Sequence, residues 1–301
     1  MTKRRAGAAR KRNPASGSAA AAGKPGRKKS AAALALVDSP ARPGDSAEAA
    51  AFGDMRLEFR PFWNIKSKEF STYAAVPVSV RGGETVTGYH HMLPRGFGKE
   101  LTLALDRELL SRTVAAMSAE NDADHRTFAV TSLHALTVQD ATSAEEYYAA
   151  CRRIPDTLRE RLMFEIVDVD LLRDSEEGIG IARALAGLGA GVFGRASIEN
   201  ITLSYFTLMR LTAIGFDLSD DEHDEAEVMA HMEEIAEAAE KSKLSCFARG
   251  VTSVSLTSAA VAAGILYIEG AKIKRPDDDG AGTLKVVPFD INDMYASLFG
   301  A

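Results

Sequence analysis

The chain has 301 residues, of which 46% are apolar and 26% charged. These proportions are ordinary for a globular protein and allow a sizeable core in one large domain or two small ones. Cys151 and Cys246 stand far apart and indicate neither a disulfide framework nor a cysteine metal site, so a reducing compartment, the cytoplasm, is expected. No apolar run approaches the ~18 residues that a membrane span needs.

Charge is distributed unevenly along the chain. Residues 1–53 carry eleven basic and three acidic residues, which leaves −14 for the remainder of a chain whose net charge is −6. This arm is rich in Ala, Gly, Pro and Ser and lacks periodic apolar spacing, which predicts disorder. Its basic residues suit an acidic partner or a solubilising tail with no fixed partner. The acidic remainder does not suit nucleic acid across its main surface.

From Met55 onward, short apolar runs alternate with helical stretches. Several runs are continuously apolar, as in strands that are covered on both faces. The alternation predicts a parallel sheet, either open or closed into a barrel, and the first two runs an antiparallel hairpin connected by residues 61–68. The predicted strands are residues 55–59, 70–78, 127–131, 162–167, 189–193, 213–217, 244–248 and 264–268. The clearest predicted helices are residues 101–117, 179–188 and 220–241.

Five short segments mark predicted strand ends. They are 57–62 (LEFRPF), 163–168 (MFEIVD), 189–194 (GAGVFG), 248–251 (ARGV) and 268–270 (IEG), the last followed by Pro276. In order and spacing they resemble the motifs of EAL domains, the cyclic di-GMP phosphodiesterase family, over residues 55–276. The resemblance implies an α/β fold, a modified (β/α)8 TIM-like barrel with one antiparallel strand, whose site lies at the C-terminal ends of the strands. It divides the chain into a basic arm (1–53), a barrel (54–276) and a C-terminal extension (277–301).

The same resemblance implies a catalytic site that this chain has largely lost. In the family, carboxylates and an Asn hold two divalent metals that activate water. The name-giving Glu falls on Ala74, the metal-binding Asn on Thr131, the paired Asp positions on Gly191 and Val192, the catalytic Lys on or next to Asp217, a Glu on Arg249 and a Gln on Glu269. Glu165 remains at a metal-ligand position, with Asp168 as a rough stand-in for the next acid.

These substitutions predict a barrel without catalytic residues, metal or cofactor. One carboxylate cannot hold two hard cations, because each needs several oxygen ligands. Asp217 and Arg249 reverse the family's charges on neighbouring strand ends, so we expect an ion pair that closes the mouth. Val78 replaces an Arg of the family, which together with the lost metals argues against binding of cyclic di-GMP.

Three other signals have simple structural explanations. The glycines of 189–194 match G-x-G-x-x-G, but a helix precedes them where a dinucleotide site needs a strand. His90, His91 and the acidic residues 220–225 lack the spacing of metal ligands, and His134 is expected to be a surface or packing residue. The apolar residues of 284–299 are expected to pack on the barrel or, alternatively, to contact a partner.

The expected function is therefore regulation by a degenerate, non-catalytic bacterial EAL-like protein through protein contacts, in or beside cyclic di-GMP signalling. The partner is not identified by the sequence, and a homodimer is one form of such contacts. Three alternatives stay open. They are a receptor that binds cyclic di-GMP without hydrolysis, a weakly active phosphodiesterase with a site rebuilt from Glu165, Asp168 and Glu269, and an adaptor tethered to nucleic acid by residues 1–30.

Overall fold

A computed structural model of the chain describes residues 52, 54–94, 96–119, 127–200, 206–219, 223–271, 273 and 284–292. The predicted disordered arm lies outside these residues, except for Phe52. Pro276 and residues 277–283 and 293–301 of the extension also lie outside them.

Within the described residues, ten strands form one sheet, and eight of them close into a barrel. The order around the barrel is β1-β9-β8-β7-β6-β5-β4-β2, and β1 also pairs with β2, which closes the ring. Strand β1 runs antiparallel to both neighbours, whereas the other neighbouring pairs in the ring are parallel. The strands are β1 (Arg56–Asn64), β2 (Glu69–Arg81), β3 (Glu84–Thr87), β4 (Phe128–His134), β5 (Leu162–Val167), β6 (Gly191–Arg195), β7 (Ala213–Asp217), β8 (Ser245–Arg249), β9 (Tyr267–Ile268) and β10 (Val287–Pro288).

Helices connect the strands. They are α1 (Tyr89–Met92), α2 (Lys99–Ala119), α3 (Ala135–Gln139), α4 (Ala141–Arg152), α5 (Asp156–Arg159), α6 (Glu176–Leu185), α7 (Glu225–Lys241) and α8 (Val254–Ala263). Helix α7 shows why the sequence specifies them: Asp224 caps it by accepting from the amides of Ala226 and Glu227. Among the described helices, none has the length and apolarity to cross a membrane.

The first hairpin differs from its prediction. The connection was expected at residues 61–68, but β1 continues through Pro61 to Asn64 and pairs with β2 throughout. Proline is tolerated there because the β9 ladder on the other side of β1 reaches only Trp63 and Asn64. Strand β3 was not predicted; it folds back on β2 through a two-residue turn at Gly82 and Gly83, both with positive φ.

Aromatic rings fill the interior of the barrel. Phe193 stacks on Phe247 with ring centroids 5.1 Å apart, and Phe62 meets both rings edge-on. Small and branched side chains such as Ala74 and Val76 complete this cluster. The barrel is therefore a packed core rather than a pore, and polar chemistry is restricted to its end.

Residues 284–292 pack against the barrel, in agreement with the expectation for this part of the extension. Strand β10 pairs with the beginning of β2. Phe289 lies 5.4 Å from the ring of Trp63 and 5.0 Å from that of Phe70. The Tyr73 hydroxyl donates to the carbonyl of Lys285. These contacts cover the buried Trp63 and Phe70 side chains.

Both cysteines are buried. Burial raises the pKa of the Cys151 and Cys246 thiols to about 12, so both are protonated at neutral pH. Cys246 is therefore an unreactive core residue, as predicted.

Candidate functional site

The mouth of the barrel, formed by the C-terminal ends of the parallel strands, carries a network of charged side chains. Successive residues of a strand point to opposite faces, so a residue two positions beyond an interior aromatic also faces inward. Arg195 follows Phe193 in this way, Arg249 follows Phe247, and Glu269 follows Tyr267. The network consists of Ser132, Glu165, Arg195, Asp217, Arg249 and Glu269, all buried except Asp217, whose side chain is 11% exposed.

Arg249 is the centre of this network. Its Nη1 donates to both oxygens of Glu165, at 3.2 Å to Oε1 and 3.0 Å to Oε2. Its Nε lies 3.8 Å from an oxygen of Asp217 and 3.8 Å from an oxygen of Glu269. Arg249 therefore contacts three carboxylates from three other strand ends.

Arg195 provides the second cation. Its Nη1 donates to Asp217 Oδ2 at 2.7 Å, and its Nε lies 3.9 Å from Glu165 Oε2. The expected Asp217–Arg249 contact is thus present at 3.8 Å, but Arg195 is the closer partner of Asp217. Ser132 donates to Glu165 Oε2 at 2.8 Å, which leaves both oxygens of that carboxylate engaged.

The charges keep each other ionised in spite of burial. Burial raises the pKa of Glu165, but the attraction of Arg249 and Arg195 outweighs it, and the pKa lies below its ordinary value. Burial also raises the pKa of Asp217, but the attraction of Arg249 and Arg195 outweighs it and lowers the pKa overall. Burial lowers the pKa of Arg249, yet its carboxylate neighbours raise it overall.

A tight turn after β8 positions Glu269. Gly250 has φ +68°, and its amide donates to Glu269 Oε2 at 3.1 Å. A Cβ at this position would come within 2.6 Å of the backbone nitrogen of Ser219. Only glycine fits this turn without strain, and the turn brings Glu269 beside Arg249.

Several predicted site positions need correction. Gly191 and Val192 lie at the beginning of β6, so the residue of that strand at the mouth is Arg195. Thr131 pairs with Phe164, which packs in the outer core, and the adjacent Ser132 faces Glu165 instead.

A shift of one residue reverses the face of a strand, which explains the error at Thr131. At β6 the apolar run suggested a strand two residues too early. Ala74 does lie inside the barrel, but within the apolar cluster.

Asp168 is not part of the arginine network. It follows β5 in the left-handed region, with φ 54°, and contacts two histidines. Its Oδ2 lies 3.0 Å from His134 Nε2, and its Oδ1 lies 3.4 Å from His90 Nε2. His134 was expected to be either a surface residue or a packing residue. It is buried at the end of β4, so the surface expectation is wrong. No spacing in the sequence indicates that these three residues meet.

Asp106 is connected to this second cluster by a hydrogen bond from the amide of His134. It is fully buried on α2 and accepts from the Tyr89 hydroxyl at 2.5 Å, from Thr137 Oγ1 at 2.6 Å and from the amide of His134. Burial raises the pKa of Asp106 to about 7, although these hydrogen bonds oppose the rise.

The arginine network does not fit the divalent metals that the resemblance implies. Both oxygens of Glu165 are engaged by Arg249 and Ser132, and Glu269 accepts from the amide of Gly250. Two guanidinium groups also place positive charge where cations would have to bind. Hard cations need several free oxygen ligands, which this arrangement lacks.

The architecture defines a closed mixed (β/α) barrel with one antiparallel strand and a polar mouth. Neither protein-family models nor curated proteins match the chain. Solved structures of EAL domains do match. The Bacillus subtilis YkuI protein, with an EAL domain and in complex with c-di-GMP and calcium, has a TM-score of 0.62 at 13% identity, over 85% of this chain and 62% of its own. The chain therefore spans less than two thirds of that protein.

Two further structures are similar along nearly their whole length. The FimX EAL domain from Pseudomonas aeruginosa bound to c-di-GMP has a TM-score of 0.58 at 17% identity, over 84% of this chain and 99% of its own. The PaMucR phosphodiesterase in complex with c-di-GMP has a TM-score of 0.59 at 15% identity, over 74% and 96%. The chain has the fold of an EAL-domain barrel.

Proposed function

We propose that the chain is a non-catalytic regulatory protein of the cytoplasm that acts through protein contacts, in or beside cyclic di-GMP signalling. The observation that carries this proposal is the position of Arg249, whose guanidinium engages Glu165 at the centre of the mouth. A cation of fixed charge at this point opposes the metal-assisted attack of water on a phosphodiester.

The link to cyclic di-GMP rests on the structures of similar fold. The YkuI, FimX and PaMucR structures were all solved with c-di-GMP. Fold alone does not establish function, so the nucleotide itself has to be tested.

The test is titration of the full chain with cyclic di-GMP, with and without Mg²⁺ or Mn²⁺, followed by chromatography for the linear product. We expect no product under either condition. Metal-dependent product that disappears in the Glu165→Gln variant would contradict the proposal and support an active enzyme with a rebuilt site.

The second candidate is a receptor that binds cyclic di-GMP without cleaving it. Within the described residues, Arg195 Nε and Nη2 and Arg249 Nε are buried without a hydrogen-bond partner. Such donors suit phosphate oxygens, since guanidinium groups bind phosphate through paired N–H bonds. Heat of binding without product, weakened in an Arg195→Met variant, would favour this candidate.

The protein contacts of the first proposal have separate tests. Sedimentation of the full chain over a range of concentrations distinguishes a homodimer from a monomer.

We further propose that residues 1–53 form a separate arm with an acidic partner, whereas residues 54–276 form the barrel and 277–301 its extension. Salt-sensitive retention on an anionic resin, lost when residues 1–53 are removed, would support the role of the arm.

A further inference from the structure

The rim of the mouth holds a second group of side chains that takes no part in the arginine network. His90, His134 and Asp168 each direct one ligand atom toward the others, and these atoms all lie within 4.8 Å of one another. His90 comes from α1, His134 from the end of β4, and Asp168 from the turn after β5. Three separate segments therefore converge on one point of the rim.

The three residues differ in how firmly they are held. His134 is 3% exposed, and the rings of Tyr89 and Phe97 lie 5.8 and 5.7 Å from its own. The side chains of His90 and Asp168 are 37% and 39% exposed. One side of the group is thus fixed by packing, while the other is open to solvent and accessible to a small ion.

We propose that His90, His134 and Asp168 form a binding site for a divalent first-row transition metal of the Zn²⁺ type. Two imidazoles and one carboxylate are a usual ligand set for zinc and its neighbours. Metal–ligand bonds of about 2.0–2.1 Å place two ligand atoms about 2.8–3.0 Å apart at the right angles of octahedral geometry and about 3.3–3.4 Å apart in tetrahedral geometry. His134 Nε2 lies 3.0 Å from Asp168 Oδ2, His90 Nε2 lies 3.4 Å from Asp168 Oδ1, and one ligand atom from each residue lies within 4.8 Å of the others. A small movement of the exposed His90 and Asp168 side chains brings the three ligand atoms to this spacing around one ion.

The site shares Asp168 with the positions that the resemblance implies, but its other two ligands, His90 and His134, lie outside them, and it uses none of the arginine network. It is also independent of the proposed function. Three protein ligands leave at least one coordination position for water or for a group from a partner.

Metal binding requires one local rearrangement. The amide of Leu136 donates to His134 Nδ1 at 3.0 Å, so in the metal-free state His134 Nε2 carries the proton and donates to Asp168. When a metal binds Nε2, the ring proton moves from Nε2 to Nδ1, and Nδ1 becomes a donor. The Leu136 amide then loses its acceptor, which provides a local reporter of binding at this site.

The experiment is titration of the full chain with Co²⁺ alone, after treatment with a chelator, while the visible absorption of the bound ion is recorded. Competition with Zn²⁺ then gives the affinity for zinc. We expect saturable binding of a single ion per chain. The affinity should fall at least roughly tenfold in both His90→Gln and Asp168→Asn, whose side chains are exposed enough to be replaced without unfolding the barrel.

His91→Gln is the matched control, because His91 is the exposed neighbour of His90 on α1 and lies outside the group. It should bind Co²⁺ as the unmodified chain does. Thermal unfolding of each variant checks that the barrel is intact, and the amide resonance of Leu136 in the unmodified chain should shift on addition of Zn²⁺. Absence of saturable binding, an unmoved Leu136 resonance, retained affinity in Asp168→Asn, or equal loss in His91→Gln would each overturn the proposal.

Discussion

Arg249 and Glu165 are 84 residues apart in sequence, and their side chains meet in the mouth of the barrel through hydrogen bonds of 3.0 and 3.2 Å. Both side chains are at most 6% exposed. A buried ion pair is costly to break by removing one partner, because the remaining charge is left without compensation. The pair is therefore the position at which the site can be tested most directly.

Replacing Arg249 by Met should destabilise the fold strongly. The change leaves Glu165 buried beside Asp217 with only Arg195 to compensate their charge. We expect the free energy of unfolding in urea to fall by about 3–5 kcal/mol. Arg56→Met is the control, since that side chain is 64% exposed, and it should change stability by less than about 0.5 kcal/mol. Equal urea midpoints for the two variants would contradict the prediction.

Stability should fall in acid because of the same network. The folded-state pKa values of Glu165 and Asp217 lie below their ordinary values of 4.5 and 3.8. Their contribution is therefore present above those ordinary values and is lost as the pH falls through and below them. The free energy of unfolding should decline as the pH falls below about 5 and should continue to decline below about pH 3. The Asp217→Asn variant should show a shallower decline, and an unchanged slope would rule out this origin.

Substituting Gly250 by Ala should lower the free energy of unfolding by more than the strain of a positive φ accounts for. Gly264 also has a positive φ, +84°, but a Cβ there would meet nothing within 4 Å. We expect Gly264→Ala to cost about 1–2 kcal/mol of unfolding free energy from backbone strain. Gly250→Ala adds a clash with the backbone of Ser219 and should cost more. Thermal unfolding measures the difference, and similar costs would show that the turn relaxes.

The extension should stabilise the barrel through one ring. Phe289 contacts both Trp63 and Phe70, so Phe289→Ala should lower the free energy of unfolding by about 1–3 kcal/mol. Lys285→Ala is a suitable control, because Lys285 is exposed and its carbonyl, which accepts from Tyr73, is retained. The fluorescence of Trp63, the only tryptophan, reports on the change directly. An unaltered spectrum and stability would contradict the packing.

Much of the fold could be predicted from local pattern. The apolar runs at 162–167 and 213–217 coincide with β5 and β7, because strands covered on both faces need continuous apolar residues. Closure into a barrel could not be predicted in this way, since an open parallel sheet shows the same pattern. Only the resemblance to EAL domains indicated closure, whereas the antiparallel pairing of the first two strands also followed from the pattern.

The site was harder to predict because it depends on which way each side chain points. Arg195 was missed although it stands two residues beyond Phe193, a spacing that places both on one face of β6. The Gly82-Gly83 hairpin carried a recognisable turn signal. The approach of His90 to Asp168 carried none, because it is a tertiary contact between distant segments.

The position of Arg249 also limits how this chain can change in evolution. Substituting that residue alone leaves Glu165 and its neighbours without their main counter-ion, and substituting a carboxylate alone leaves a buried guanidinium without one. Each single step toward a metal-binding mouth passes through a less stable protein. A metal-binding mouth is thus separated from this sequence by simultaneous substitutions on several strands, and the network that blocks it also preserves itself.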